Sequence, residues 1–224
     1  MRHLLTLAIV LLCLLVVVQV SNAQISNSKH NLSSSSTTTG PKSTNTNEVC
    51  VFCHTPHSQS ATTVLWNRTA SGATYTVYSS PSMEQTVPQP GSASKNCLSC
   101  HDGTVAFNSL INSPGSGVGT PPTMSQAAMS GWDSLGTHLS NDHPVGLVYT
   151  THQSTDSDLR AASLVNGKPV VQNGSITLPL VGTATATATL ECTSCHDPHG
   201  VTSVPLFQRV ANTASQMCFT CHDK

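Results

Sequence analysis

The chain opens on its longest apolar stretch, Leu4 to Val20, and nothing after it repeats that pattern. Arg2 precedes the run and Ser21-Asn22-Ala23 ends it in small residues, so residues 1–23 read as a secretion signal cleaved after Ala23. The alternative is a retained anchor, but the run is at the short limit for a span. Beyond it, apolar positions come in brief bursts without helical period, and no long amphipathic helix is predicted. Ser33 to Asn47 is a Ser/Thr/Asn run with Gly40-Pro41 and reads as a flexible or extended arm. Val170 to Ile176 holds Asn173-Gly174 between β-forming residues, which predicts a small hairpin. Thr183 to Leu190 alternates Thr and Ala and predicts another extended strand. The rest of Gly103 to Leu190, rich in Gly, Pro, Ser and Thr, predicts loop.

Composition changes this picture of a weakly structured chain. Charged residues are 8 % and aromatics 4 %, against about 25 % charged in an ordinary soluble domain. Such a chain lacks the solvated surface of a cytosolic enzyme. Nine Lys+Arg against ten Asp+Glu leave no basic footprint for nucleic acid. The scarcity of aromatic bulk suggests that something other than side chains fills the core.

The cysteines say what that is. Eight of the nine lie after the signal, and all eight fall into one repeated pattern. The pattern reads Cys50-Val51-Phe52-Cys53-His54, Cys97-Leu98-Ser99-Cys100-His101, Cys192-Thr193-Ser194-Cys195-His196 and Cys218-Phe219-Thr220-Cys221-His222. CxxCH is the attachment signature of c-type haem. The two sulfurs form thioethers to the vinyl groups on one haem edge, and the next residue places its imidazole on the iron. Four disulfides or two Cys₄ zinc sites would use the cysteines but leave every histidine unexplained. A redox CxxC would need a βαβ context that is absent. Four covalent haems on a short chain also explain the composition. The fold class expected is a mostly irregular, coil-like multihaem protein with a haem-filled core, short helical turns at each CxxCH and one small β-hairpin.

The second axial position of each iron sets function. His30, His57, His138, His143, His152 and His199 are the spare histidines, six for four places. Met217 abuts Cys218 and cannot reach the far face of that haem, and the other methionines read as packing residues. His54-Thr55-Pro56-His57 and His196-Asp197-Pro198-His199 share one form. Two imidazoles on opposite faces of one iron need Cα atoms about 12 Å apart, given metal–nitrogen bonds near 2 Å. Three extended residues reach at most roughly 10.8 Å. Each such strap therefore joins two different haems. His199 is expected on the Cys218/Cys221 haem, whose motif begins only 26 residues after the third motif begins, and His57 on a haem beyond its own local unit. His143, in Asn141-Asp142-His143-Pro144-Val145-Gly146, and His30 complete the distal set, with His138 and His152 as reserves.

The domains expected are the signal, a Ser/Thr-rich arm over 24–47, and one tetrahaem domain over 48–224. Within that domain two two-haem halves, 48–103 and 191–224, are joined by a loop-rich connector. Asn31, Asn67 and Asn173 head sequons and mark candidate surface glycans.

Lys29-His30-Asn31-Leu32-Ser33, Cys50 through His57, Leu65-Trp66-Asn67-Arg68, Cys97 through Thr104, Leu139 through Gly146, and Cys192 through Gly200 resemble the doubled-CxxCH multihaem cytochromes. The order and count are most similar to the extracellular tetrahaem cytochromes that polymerise into nanowires (the OmcE type). The resemblance implies bis-histidine irons, a largely coil fold, and one axial histidine that crosses between subunits. It points to His57 as the crossing residue and to His30 as runner-up. The function expected is long-range electron transfer in a secreted, extracellular or cell-surface homopolymer that exchanges electrons with upstream and downstream redox partners. A soluble periplasmic shuttle is the alternative. A reductase is the weaker one, because no motif departs from CxxCH to mark a catalytic iron. No membrane span remains after cleavage.

Overall fold

The computed structural model describes residues 24–55, 65–200 and 204–223. Residues 1–23, expected as a secretion signal, and His57 lie outside the described residues. Among the described residues no helix is long and apolar enough to cross a membrane.

Each CxxCH motif folds as a helical turn. In three of them the histidine N–H donates to the carbonyl of the first cysteine: His54 to Cys50 at 2.8 Å, His196 to Cys192 at 2.9 Å and His222 to Cys218 at 2.9 Å. The first motif is a 3₁₀ turn over Cys50–Phe52. The second ends α1, Ser92–His101, which Asp102 closes through its N–H to the Leu98 carbonyl. The third and fourth form α3, Cys192–Cys195, and α4, Gln216–Cys221. Between them α2 covers Tyr149–Gln153.

The connector is more ordered than its composition suggests. β1 (Thr76–Val77) pairs in parallel with β2 (His138–Leu139), and β3 (Leu147–Val148) pairs antiparallel with β7 (Thr189–Leu190). β4 (Ala162–Val165), β5 (Lys168–Asn173) and β6 (Ile176–Pro179) make an antiparallel meander. Asn166 and Gly167, both at positive φ, turn β4 into β5 across the Val165↔Lys168 pair. That is the two-residue hairpin geometry Asn-Gly favours. Gly174 at φ +59 turns β5 into β6. The connector thus departs from the expected loop, and the cause is apolar burial. Leu147, Tyr149, Val171, Leu180, Ala188 and Leu190 form a core of their own, with Cys221 of the fourth motif packed against it. The Thr/Ala run is strand only at its end, because Thr185–Thr187 turns as a 3₁₀ segment.

The Ser/Thr arm is also fixed rather than loose. Ser43 N–H donates to the Leu32 carbonyl, Thr44 N–H to Thr123, and Ser125 N–H to Lys42. Ser33 and Ser43 are buried, and Asn31 Oδ1 accepts from both the N–H and the hydroxyl of Ser33. Short hydroxyls satisfy the backbone here where regular pairing does not. Two of the sequon asparagines, Asn31 and Asn67, are buried, and Asn67 Nδ2 donates to the carbonyls of Val51 and Asn112. Neither is a surface acceptor for glycan.

Candidate haem-attachment sites

None of the eight motif cysteines is in a disulfide. Their sulfurs follow one another in chain order. Burial, then the neighbouring Cys100, pushes the Cys53 thiol up to about 12. The Cys97 and Cys192 thiols neighbour each other, a contact that raises the Cys97 thiol and lowers that of Cys192. Burial, then Cys195, pushes Cys221 up to about 11. The attachment points of the first, second, third and fourth motifs therefore form a continuous row. No three His, Cys, Asp or Glu side chains converge as a protein-only metal site among the described residues.

The histidines meet in pairs. His199 lies against His54 with ring centroids 5.8 Å apart, His30 against His101 at 6.2 Å, and His143 against His222 at 6.4 Å. Two imidazoles trans on one metal, with bonds of about 2.0–2.1 Å and about 1.1 Å from nitrogen to ring centre, have centroids about 6.3 Å apart. The spacings fit an iron between each pair. The placement of His199 differs from the expectation of a local partner in the fourth motif. Nearness in sequence does not decide it: Asp197 Oδ1 accepts the His199 N–H, and the segment turns its ring toward the first motif. His143 already occupies the place opposite His222. No histidine faces His196 among the described residues. His138 is exposed beside Ser140, and His152 ends α2, its pKa lowered by burial.

The ring nitrogens are set for ligation. His101 Nδ1 lies 2.9 Å from the Asp133 carbonyl, His196 Nδ1 2.9 Å from Leu206, and His143 Nδ1 3.1 Å from Pro144. A carbonyl only accepts, so Nδ1 carries the proton and Nε2 keeps its lone pair for a metal. His54 and His30 also hydrogen-bond backbone, that of Leu65 and Pro198. Burial first, then His101, lowers His30 to about 4, which keeps it in the neutral form that ligates. Phe207 stacks on its ring at 4.2 Å and fixes the orientation.

The surroundings also suit a porphyrin. Trp66 Nε1 and Arg68 Nε are buried without a hydrogen-bond partner, both beside the first motif. A small apolar cleft lies over Cys192, lined by Val87, Leu98, Leu139 and His143. Haem attached at the CxxCH motifs would supply a one-electron iron couple. The chain would supply the cysteine sulfurs and imidazole nitrogens to hold it.

Sequence reading passed over one recurrent feature. Leu65-Trp66-Asn67-Arg68 follows the first strap and Leu206-Phe207-Gln208-Arg209 follows the second. Each forms an isolated bridge back to its motif, Trp66 to His54 and Gln208 to His196, and each offers a leucine carbonyl to the motif histidine. Leu65, Leu206 and Phe207 accept positive φ to do so, a strained conformation for such residues. The signal was the L-x-x-R spacing after each CHxPH.

Four attachment turns with oriented histidines define a multihaem c-type cytochrome in kind, with covalently bound haem and a role in electron transfer. The family model described as the doubled CXXCH motif matches residues 185–224, which span the third and fourth motifs. A comparison with curated proteins gives no match.

Proposed function

We propose that the chain is a tetrahaem cytochrome with bis-histidine irons that carries electrons over long distance outside the cell, as a homopolymeric filament. The observation that carries this reading is the set of three histidine pairs at iron-bridging distance. With both axial places filled by protein, an iron has no site for substrate and serves to pass electrons. The continuous row of attachment sulfurs supports close haems and hopping between them. The sparse charge and small polar surface suit self-association better than transient docking of charged faces.

The iron beside His196 is the one that still needs a ligand among the described residues. We assign it His57 from an adjacent subunit, with His138 and His152 in reserve. His30, the other crossing candidate, faces His101 of its own chain. An iron–imidazole bond at the boundary would couple assembly to ligation.

Mass spectrometry of the denatured, matured protein should show four haems on a chain beginning near Gln24, and fewer would overturn the count. Electron paramagnetic resonance should show only low-spin ferric haem. The His54/His199 planes lie at 16° and should give a rhombic signal, whereas the His30/His101 and His143/His222 pairs, at 68° and 67°, should give strongly anisotropic ones. A large high-spin fraction would instead favour a reductase. His57→Ala should keep four covalent haems, leave one iron without its sixth ligand, and assemble few filaments under negative-stain microscopy. Normal low-spin filaments from that variant would rule out the crossing bond, and monomers from the parent chain would favour the soluble shuttle.

A further inference from the structure

Arg68 is the largest fully buried side chain among the described residues, 2 % exposed. Its guanidinium donates to three carbonyls, Phe107 at 2.8 Å, Ser99 at 3.2 Å and Ala106 at 3.0 Å. No carboxylate lies within ion-pair distance of it among the described residues, and its Nε has no partner. Neutral carbonyls orient a cation but do not cancel its charge. Ser99, one of its carbonyl partners, lies between Cys97 and Cys100 of the second motif, and the preceding residue Asn67 donates its N–H to the Cys53 carbonyl of the first at 2.9 Å. Arg68 therefore stands between the attachment points of the first two motifs.

The corresponding arginine of the second strap is treated differently. Arg209 Nε donates to the Thr193 carbonyl at 2.8 Å, and its Nη1 lies 3.5 Å from Asp197 Oδ2. Asp197 occupies the strap position that Thr55 holds in the first unit. Beyond this, the third motif carries a buried carboxylate of its own. Glu191, 3 % exposed, precedes Cys192 and accepts from the Ser94 hydroxyl of α1 and from Thr189 Oγ1 at 2.9 Å. Hydroxyls likewise orient that carboxylate without a cation to cancel it.

Reducing a ferric haem adds one electron and removes one unit of positive charge at the iron. A fixed cation nearby favours that change and a fixed anion opposes it, more strongly where water is excluded. We propose that Arg68 and Glu191 set the reduction potentials along the row: Arg68 holds the first and second haems high, Glu191 holds the third low, and electrons in a partly reduced subunit rest on the first two. This rests on the tetrahaem reading.

The test uses the matured full chain, with haems counted by mass before sodium dithionite titration followed by visible and electron paramagnetic resonance spectra. The rhombic signal reports the first haem. Arg68→Gln keeps donors without charge and should shift two of the four potentials downward, the first haem included. Arg68→Lys keeps the charge and should stay near the parent. Glu191→Gln should raise one potential and leave the first haem unmoved. Four haems with unmoved potentials in Arg68→Gln, or equal shifts in the Lys and Gln variants, would overturn the proposal. Should Arg68→Gln not mature, Glu191→Gln decides, and an unmoved or lowered potential there overturns it. A parent chain with fewer than four haems would sink the tetrahaem reading instead.

Discussion

The two CHxPH units carry the same chemistry on opposite kinds of scaffold. In the first, the residues between the cysteines are Val51 and Phe52, both buried, and they join Leu32 and Phe107 in an apolar cluster that also packs Cys53 and Cys100. In the third motif the same positions are Thr193 and Ser194. Ser194 and Glu191 close a capping box at the start of α3, and Ser94 of α1 ties it to the second motif through the Cys192 N–H. One unit is held by burial, the other by a buried polar network. CxxCH fixes what the turn must present, and the two free positions choose how the turn is anchored.

That contrast is most sharply tested at Phe52, which is completely buried. Phe52→Ala should cost about 3–5 kcal/mol, because the cluster cannot collapse around the lost ring. Chemical denaturation of the matured protein measures it. A cost below about 1 kcal/mol would show that attached porphyrin, rather than the side chain, fills that core.

A smaller effect is expected where the polar network is crowded. Gly91 caps α1, and a Cβ there would run into the Glu191 carboxylate. Gly91→Ala should therefore cost about 1–3 kcal/mol, the range for forcing extra volume into a packed site. Gly91→Ala combined with Glu191→Ala should recover part of the loss, since the clash is with that side chain. Strict additivity of the two would contradict the contact.

Much of this was legible in the residues. The motifs, the signature turns and the Asn173-Gly174 hairpin follow from local chemistry, and the strap length already separates His199 from His196. Asn166-Gly167 carries the same hairpin signal between Leu164-Val165 and Val170-Val171, and the loop-rich composition of the connector drew attention away from it. What the sequence hid is long-range. Nothing near His199 specifies His54, and the pairing depends on the backbone turns through Asp197 and the Leu206 region. The connector core likewise draws Leu147, Val171 and Leu190 from scattered positions, none of which forms a periodic run. The Ser/Thr arm looks like a linker by composition, yet its hydroxyls cap a backbone that threads between other segments.

The second and fourth motifs extend the comparison, since each leans on a buried tyrosine. Tyr149 Oη donates to the Arg160 carbonyl at 2.8 Å and reaches toward that of Cys221. Tyr75 Oη donates to Asp102 Oδ2 at 2.7 Å, directly after His101. Burial first, together with the Asp102 carboxylate, pushes the Tyr75 phenol from 10 up to about 12. The folded chain therefore keeps a proton that the unfolded chain releases as pH rises above 10. Its contribution is fully present below pH 10 and is lost as pH climbs toward about 12. Tyr75→Phe removes the hydrogen bond and should cost about 1 kcal/mol at neutral pH. Because Phe cannot ionise, the stability gap between parent and variant should narrow through the alkaline window. Tyr149→Phe should narrow in the same direction, as burial also raises that phenol. Denaturant midpoints measured at stepped alkaline pH decide the matter. Curves that stay parallel would mean that neither phenol is held protonated by its motif, and that the tyrosines anchor these turns by packing alone.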